Sequence, residues 1–360
     1  YFIPVAILAI IVGRALDKYS VKNIMMIGAV IYAVGLFSLS FINSYWLLLT
    51  IYLTILALGS VMMGNLAVSK LISNWFDKNA GKALGIAAIG ISFSGVALPL
   101  IVDPLLDLVG WRNVYVIFAS IVLFFILPLI FITVIDDPKT VNQVKDGIKI
   151  DKEEEPLPQE ITATDLISQK VFWMISLAFA FQFMSMMGVL TFLPVHASKM
   201  GLEETWHLLG LPVKQYVFAY SLAAFGGVLG KILFGYLIDT MKAAYPSMMA
   251  MFLQAIGIFG ITYFNEPNIF LLSAFLFGLG FGAATPLMTT CYLRTFGAHN
   301  LGKVRGIASP IVSPLQPIGV LVTSILIGFQ DTYFVAFNIM GCLALVAVIL
   351  ASQIHEPKKI

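Results

Sequence analysis

Charge is scarce in this chain. Only 11% of its 360 residues are Asp, Glu, Lys or Arg, 59% are apolar, and the mean hydropathy is +0.94. A soluble domain carries about 25% charged residues. A sphere of this mass has no interior large enough for so much apolar surface. The shortage excludes a water-soluble enzyme and a nucleic-acid binder, and a net charge of +2 steers no charged partner. Cysteine is nearly absent. Cys291 and Cys342 lie in apolar runs, too few for a disulfide framework or a zinc site. The sequence also lacks a Walker motif, a His-Glu pair in an apolar run and a Ser-His dyad at helical spacing. No catalytic residue, metal or cofactor is therefore expected, and ATP hydrolysis is not the energy source. Alternating ten-residue strands are missing too, which excludes an outer-membrane barrel.

What is there is a series of long apolar runs, read as membrane-spanning helices near 1–16, 24–42, 46–70, 83–108, 113–135, 171–198, 215–238, 246–264, 268–293, 304–328 and 332–353. They predict an all-α, multi-pass membrane protein with eleven helices in view. If the 16–23 connection faces the cytoplasm and the sides alternate, 17 of the 21 Lys and Arg fall on the cytoplasmic side. Arg112, Lys199 and Lys214 fall outside, and Lys231 falls within a span. That bias places the C-terminus in the cytoplasm, with the plasma membrane as the expected location. The polar stretch 136–170, which includes DKEEEPLPQE (151–160), has no apolar period and reads as a flexible cytoplasmic linker. It divides the chain into an N-terminal bundle (1–135) and a C-terminal bundle (171–360).

The two bundles repeat each other. NAGKALGIA (79–87) recurs as NLGKVRGIA (300–308) with six of nine residues identical, at an offset of 221. GRALD (13–17) recurs as GYLID (235–239) at an offset of 222. Parallel internal repeats of this kind mark transporters built from two six-helix halves. Projecting the start of the second half back by the same offset gives a start about 50 residues before Tyr1. The expectation is a pair of six-helix bundles related by a pseudo-twofold axis, with the first helix missing by N-terminal truncation.

The residues resemble the major facilitator superfamily across essentially the whole chain. GRALDKYSVKN (13–23) is similar to that family's loop between helices two and three, with Ser20 in place of the usual second Gly. NWFDKNAGKALGIAAIGISFSG (74–95), GWRNVY (110–115), RTFGAHNLGKVRGI (294–307) and QDTYFVAFNI (330–339) resemble the monocarboxylate-porter and oxalate:formate-antiporter branch. The resemblance implies a secondary active transporter working by alternating access, as symporter or antiporter, and a monomer.

Lys231 is the most informative single residue. It lies in FGGVLGKILFGYLID (225–239), eight residues before Asp239, so about 12 Å below the helix end. A lipid-facing ammonium at that depth costs about 3 kcal/mol or more, so it should face the central cavity or a carboxylate partner. Porters of the resembled branch carry Arg or Lys four residues before the Gly matching Gly235, which is where Lys231 stands. Oxalate antiporters add a second lysine in helix eleven. Here that helix, 306–328, has no internal charge, and one cation suits one carboxylate. The competing reading is a snorkelled or ion-paired structural lysine.

Other candidates follow from position. Asp17, Lys18 and Asp239 sit at matched helix ends, where the resemblance implies a latch between the halves, with Arg294 and Lys70 as candidate partners. Asp103 and His196 are the titratable candidates for proton coupling; each lies near an outer helix end, where an exposed surface role competes. Asn65, Gln182, Gln316 and Asn338 are polar groups that would line a cavity or bond helix to helix. The glycines of GLGFG (278–282), with Gly81 and Gly85, read as close helix packing, since no strand precedes them as a nucleotide loop requires. Pro99, Pro286, Pro310, Pro314 and Pro317 would supply bends.

These features together imply a porter of a small organic anion, a monocarboxylate, moved with a proton or against a counter-anion. The alternatives are a drug or metabolite exporter or a sugar porter of the same fold, for which 28 Phe would suit a large aromatic pocket, and a non-transporting solute sensor.

Overall fold

The computed structural model describes residues 2–76, 80–143, 161–208, 211–297, 300–330 and 332–354. The chain is helical almost throughout. The helices are α1 (Phe2–Lys18), α2 (Val21–Leu39), α3 (Tyr45–Ile51), α4 (Ala57–Met63), α5 (Asn65–Trp75), α6 (Ala80–Ile121), α7 (Leu127–Thr133), α8 (Ala163–Ser168) and α9 (Lys170–Leu190). They continue as α10 (Leu193–Lys199), α11 (Gln215–Thr240), α12 (Ala244–Tyr263), α13 (Pro267–Gly282), α14 (Ala284–Phe296), α15 (Leu301–Val312), α16 (Leu315–Gln330) and α17 (Tyr333–Ala351). Wider π turns at Tyr52–Leu56 and Val122–Ile126 join α3 to α4 and α6 to α7.

Among the described residues, nine helical stretches are long and apolar enough to cross a bilayer. The first expected span forms a helix of only 17 residues. The fourth and fifth share one apolar stretch, Phe93–Thr133, in which Gly110 breaks the helix at φ 74° and ψ 160°. A positive φ is open to glycine at no steric cost, which is why the connection between these two spans needs no longer loop. The helix of 268–293 is divided at Ala283, with Pro286 in the first turn of α14, and that of 304–328 is divided beside Pro314. Proline takes up a first helical turn readily and interrupts a helix interior.

The chain forms two compact units, residues 1–91 with 104–153, and residues 92–103 with 154–360. In the first, α2 packs on α4, and Val12, Leu16, Ile24, Ala29, Ala33 and Val61 share a buried cluster. In the second, α9 is the central helix, buried along most of its length and packed on both α16 and α17. The two copies of the longer repeat fall at helix starts, α6 beginning at Ala80 and α15 at Leu301, and the two copies of the shorter one at the ends of α1 and α11.

Small residues set the helix spacing in the second unit. A Cβ on Gly278 would come within 1.9 Å of the Ala223 main-chain oxygen, and one on Gly282 within 2.0 Å of the Gly227 oxygen. From the other side, Gly226 and Gly230 of α11 would meet the main chain of Phe275 and Leu279 at 2.4 and 2.2 Å. Two glycine pairs spaced four residues apart thus interlock, letting backbones approach as lipid-embedded helices require. Gly280 serves a different neighbour, its Cβ position lying 2.3 Å from the Gln254 amide nitrogen of α12. The packing reading of GLGFG accounts for all three glycines; Gly81 and Gly85 lie where side-chain surroundings fall outside the description.

Two features differ from the expectation. Residues 205–214 contain a small antiparallel hairpin, Thr205–Leu208 against Leu211–Lys214, with Trp206 opposite Val213. The stretch 136–170, read as one flexible linker, is folded at both described ends. Asp137 caps a short 3₁₀ turn at Pro138–Val141, its carboxylate accepting from Lys139 N at 2.9 Å. Thr162 caps α8 by accepting from Asp165 N at 3.1 Å. Asp and Thr at the N-cap are local start signals that fold a short helical turn despite a polar composition. Residues 144–160 lie outside the described residues.

Candidate functional site

Lys231 lies on α11 and is half-buried. The exposed apolar stripe of this helix runs through Phe225, Ile232 and Tyr236, which are 45%, 67% and 70% exposed. At 100° per residue, Lys231 stands roughly 120° around the helix from the middle of that stripe. It stands at the edge of the glycine face that meets α13, one turn after Gly227, whose Cβ position lies 3.3 Å from the Phe281 ring. It shares its side with Ala224, two turns earlier, and there the 92–103 segment packs: a Cβ on Gly95 would touch the Ala224 Cβ at 3.3 Å. The backbone therefore presents this lysine away from the surface suited to hydrocarbon.

Asp103 ends the same 92–103 segment. It is buried, 8% exposed, and its Oδ2 accepts from the Lys214 amide at 3.0 Å, at the start of α11. The neighbouring Gln215 donates from Nε2 to Glu204 Oε2 at 3.1 Å, which ties the hairpin to the same helix start. His196 is also buried, at 3% exposed. Its ring packs 5.0 Å from those of Tyr333 and Phe337 and 5.9 Å from that of Phe270. Its Nε2 lies 3.1 Å from the Ile261 main-chain oxygen, so that nitrogen carries the hydrogen and donates. The surface role that competed for both residues is thereby corrected. A nearby helix end does not expose a side chain when a hairpin or an aromatic cluster closes over it.

Gln182 is fully buried in α9. It donates to the Gly280 oxygen at 3.3 Å, and its own main-chain oxygen accepts from Gln254 Nε2 at 3.0 Å. Gln254, which donates also to Ser185 Oγ at 2.7 Å, was not singled out in the sequence. A lone amide inside the apolar run 246–264 was the available signal. Of the other amides, Asn65 is exposed at the start of α5, directly after the break at Gly64, and Gln316 is half-buried at the start of α16. Asn338 accepts from the Tyr263 hydroxyl at 2.9 Å. An apolar recess of about 700 Å³ in the first unit, lined by Pro4, Leu8, Val30, Val34, Leu53 and Leu58 among others, contains none of the predicted site residues.

Of the latch candidates, Arg294 makes defined bonds. Its Nη1 donates to the Met241 oxygen at 2.8 Å and its Nη2 to the Ile238 oxygen. These carbonyls flank Asp239 at the end of α11, where a cation complements the helix dipole. Lys18 is exposed, its Nζ 5.4 Å from the Tyr19 ring centre. The side chains of Asp17 and Asp239 lie outside the described residues. In the first unit Arg112 of GWRNVY holds the loop before α3, donating to the Ile42 oxygen at 3.1 Å and to Asn43 Oδ1 at 3.2 Å.

Nine long apolar helical stretches among the described residues, one of them carrying a basic residue in its interior, define a multi-pass membrane protein. The model of the Major Facilitator Superfamily matches residues 1–319, and the chain belongs to that family. Among curated relatives, it is similar to MFS-type transporter 1 of Ophiocordyceps sp., 23% identical over 84% of this chain and 63% of the relative. It is similar also to the Fujikurins efflux protein of Gibberella fujikuroi, 25% identical over 97% of this chain and 71% of the relative. The chain spans slightly under two thirds of the first curated relatives it matches. Its fold matches a bacterial homologue of the human lysosomal transporter Spinster in an inward-facing, occupied conformation, with a TM-score of 0.67 at 14% identity, covering 99% of this chain and 89% of that one.

Proposed function

We propose that the chain carries a small organic anion, a monocarboxylate, across the membrane by alternating access, with a proton or against a counter-anion. The observation that carries the reading is Lys231, a basic residue deep in an apolar helix whose backbone position turns it away from the exposed apolar stripe. An ammonium so placed supplies the fixed positive charge that a single carboxylate needs, and its burial strengthens the attraction.

In this reading the bundles 1–135 and 171–360, joined by 136–170, rock about a midplane site. Asn65 and Gln316 supply hydrogen bonds to the substrate. Gln182, whose amide is given to α13, serves the packing of α9. Asp103 and His196 are the groups for the coupling proton. The loop with Asp17 and Lys18, and the matching one with Asp239 held by Arg294, latch the bundles on the cytoplasmic side. The basic-residue bias supports a plasma-membrane protein with a cytoplasmic C-terminus, acting as a monomer. The test is uptake of labelled monocarboxylates by cells or proteoliposomes, parent against Lys231 variants.

A second reading, export of a drug or metabolite, is favoured by one relative's name as an efflux protein. It predicts transport of neutral substrates that survives loss of the Lys231 charge.

A further inference from the structure

The chain leaving α7 does not depart directly into the linker. Val134 turns it into an extended course, φ −81° and ψ 123°. The Ile135 oxygen then accepts from Trp75 Nε1 at 2.7 Å, and the Asp136 oxygen from Asn74 Nδ2 at 3.0 Å. The Asp136 carboxylate accepts from the Lys22 amide at 2.7 Å. Lys22 is the second residue of α2, so this amide is one of the donors that a helix start leaves without an intrahelical partner. Ser20 takes the next one, from Asn23, at 3.2 Å. The Lys22 ammonium meanwhile lies 4.8 Å from the centre of the Phe131 ring. One residue at the head of α2 is thus held twice by the segment 131–136.

We propose that Asp136 is a positioning residue that clips the α1–α2 loop to the end of the N-terminal unit, so that the first residues of the linker are part of the loop's mount. The repeat strengthens the assignment. At the offset of 222, Lys22 corresponds to Ala244, and Leu16 and Tyr19 correspond to Ile238 and Met241. Both units tie down the corresponding loop, but with opposite charges at opposite helix ends. In the first, a carboxylate sits at the start of the second helix. In the second, the Arg294 guanidinium sits at the end of the first helix. Each sign is the one the local helix dipole favours. The consequence that the clip sets the movement of a gate rests on the latch reading given above; the clip itself does not.

The test is amide hydrogen exchange on the whole chain in lipid nanodiscs, followed at residues 19–23. In Asp136→Ala the exchange there should quicken by about tenfold, as the loss of one charge-assisted bond implies. Asp136→Asn keeps an acceptor oxygen and should stay within about threefold of the parent. In the unaltered chain, which removes any question of misfolding, the Lys22 amide should exchange more slowly than that of Val21. Unchanged exchange in Asp136→Ala, equal loss in Asp136→Asn, or equal rates for Lys22 and Val21 would each overturn the clip. Faster exchange with unchanged monocarboxylate uptake leaves the clip standing and removes the loop's gating role.

Discussion

Arg294 and Met241 are joined by a 2.8 Å hydrogen bond from guanidinium to main-chain oxygen, across the corner where α11 turns into α12. The same side chain reaches the Ile238 oxygen. One arginine therefore occupies two of the carbonyls that the end of α11 leaves open. Arg294→Ala is expected to lower stability by about 2 kcal/mol, the range for hydrogen bonds made by a charged group. Arg294→Lys keeps the charge but not the fork and should recover about half of that. Thermal unfolding of the purified protein in detergent measures both, and an alanine variant as stable as the parent would show that the carbonyls are satisfied without it.

The interlocked glycines give a steric prediction. Gly278→Ala places a methyl 1.9 Å from the Ala223 oxygen, so α11 and α13 must separate. The cost is expected at roughly 3 kcal/mol, at the upper end for overpacking. Gly235→Ala, on the same α11 but with nothing within 4 Å of the new atom, should be neutral. Size-exclusion profiles and melting temperatures of the two variants separate a packing role from a general intolerance of alanine.

The buried amides of Gln182 and Gln254 form a connected set with Ser185. Gln254→Leu should cost about 1 kcal/mol, somewhat above the mean for polar contacts between membrane helices. Because both side chains belong to one network, Gln182→Leu and Gln254→Leu should combine non-additively. A double-mutant cycle from chemical unfolding tests this; strict additivity would mean the two amides act independently.

Acid should loosen the start of α13. The Glu266 carboxylate accepts from the Ile269 amide at 2.8 Å and from Asn268 Nδ2 at 2.9 Å, and these bonds hold it below the usual glutamate range. A lowered folded value means the cap's contribution is complete above the unfolded value, about 4.3. It is lost as pH falls through the folded value. Hydrogen exchange at residues 268–271 should therefore quicken below that pH in the parent, beyond the intrinsic pH dependence of exchange. In Glu266→Gln, which accepts without titrating, the extra acid step should vanish; its persistence would assign the step to another group.

How much of this was legible in the sequence depends on range. The spans, the repeat and the place of Lys231 follow from apolar runs and spacing, because a bilayer forces each helix to declare itself locally. Arg294 was visible as a charge at a helix end, while its carbonyl partners 53 and 56 residues away were not. Asp136 was hidden for a different reason. It opens a polar stretch, and composition cannot separate a residue that caps a distant helix from one that is merely solvated. For Asp103 and His196 the sequence shows only nearness to a helix end, a one-dimensional measure that misses the hairpin over the first and the rings of Phe270, Tyr333 and Phe337 around the second. The hairpin itself, four residues to a strand, is too short for a period to register.

The central claim is that the positive charge at position 231 binds the transported anion. The most direct measurement is initial uptake of a labelled monocarboxylate into proteoliposomes by the parent, Lys231→Gln and Lys231→Arg, at matched reconstitution. Lys231→Gln should fall to background, a loss of at least about a hundredfold for a buried charge pair deprived of one partner, while Lys231→Arg keeps measurable uptake. Uptake by Lys231→Gln equal to that of the parent would contradict that claim.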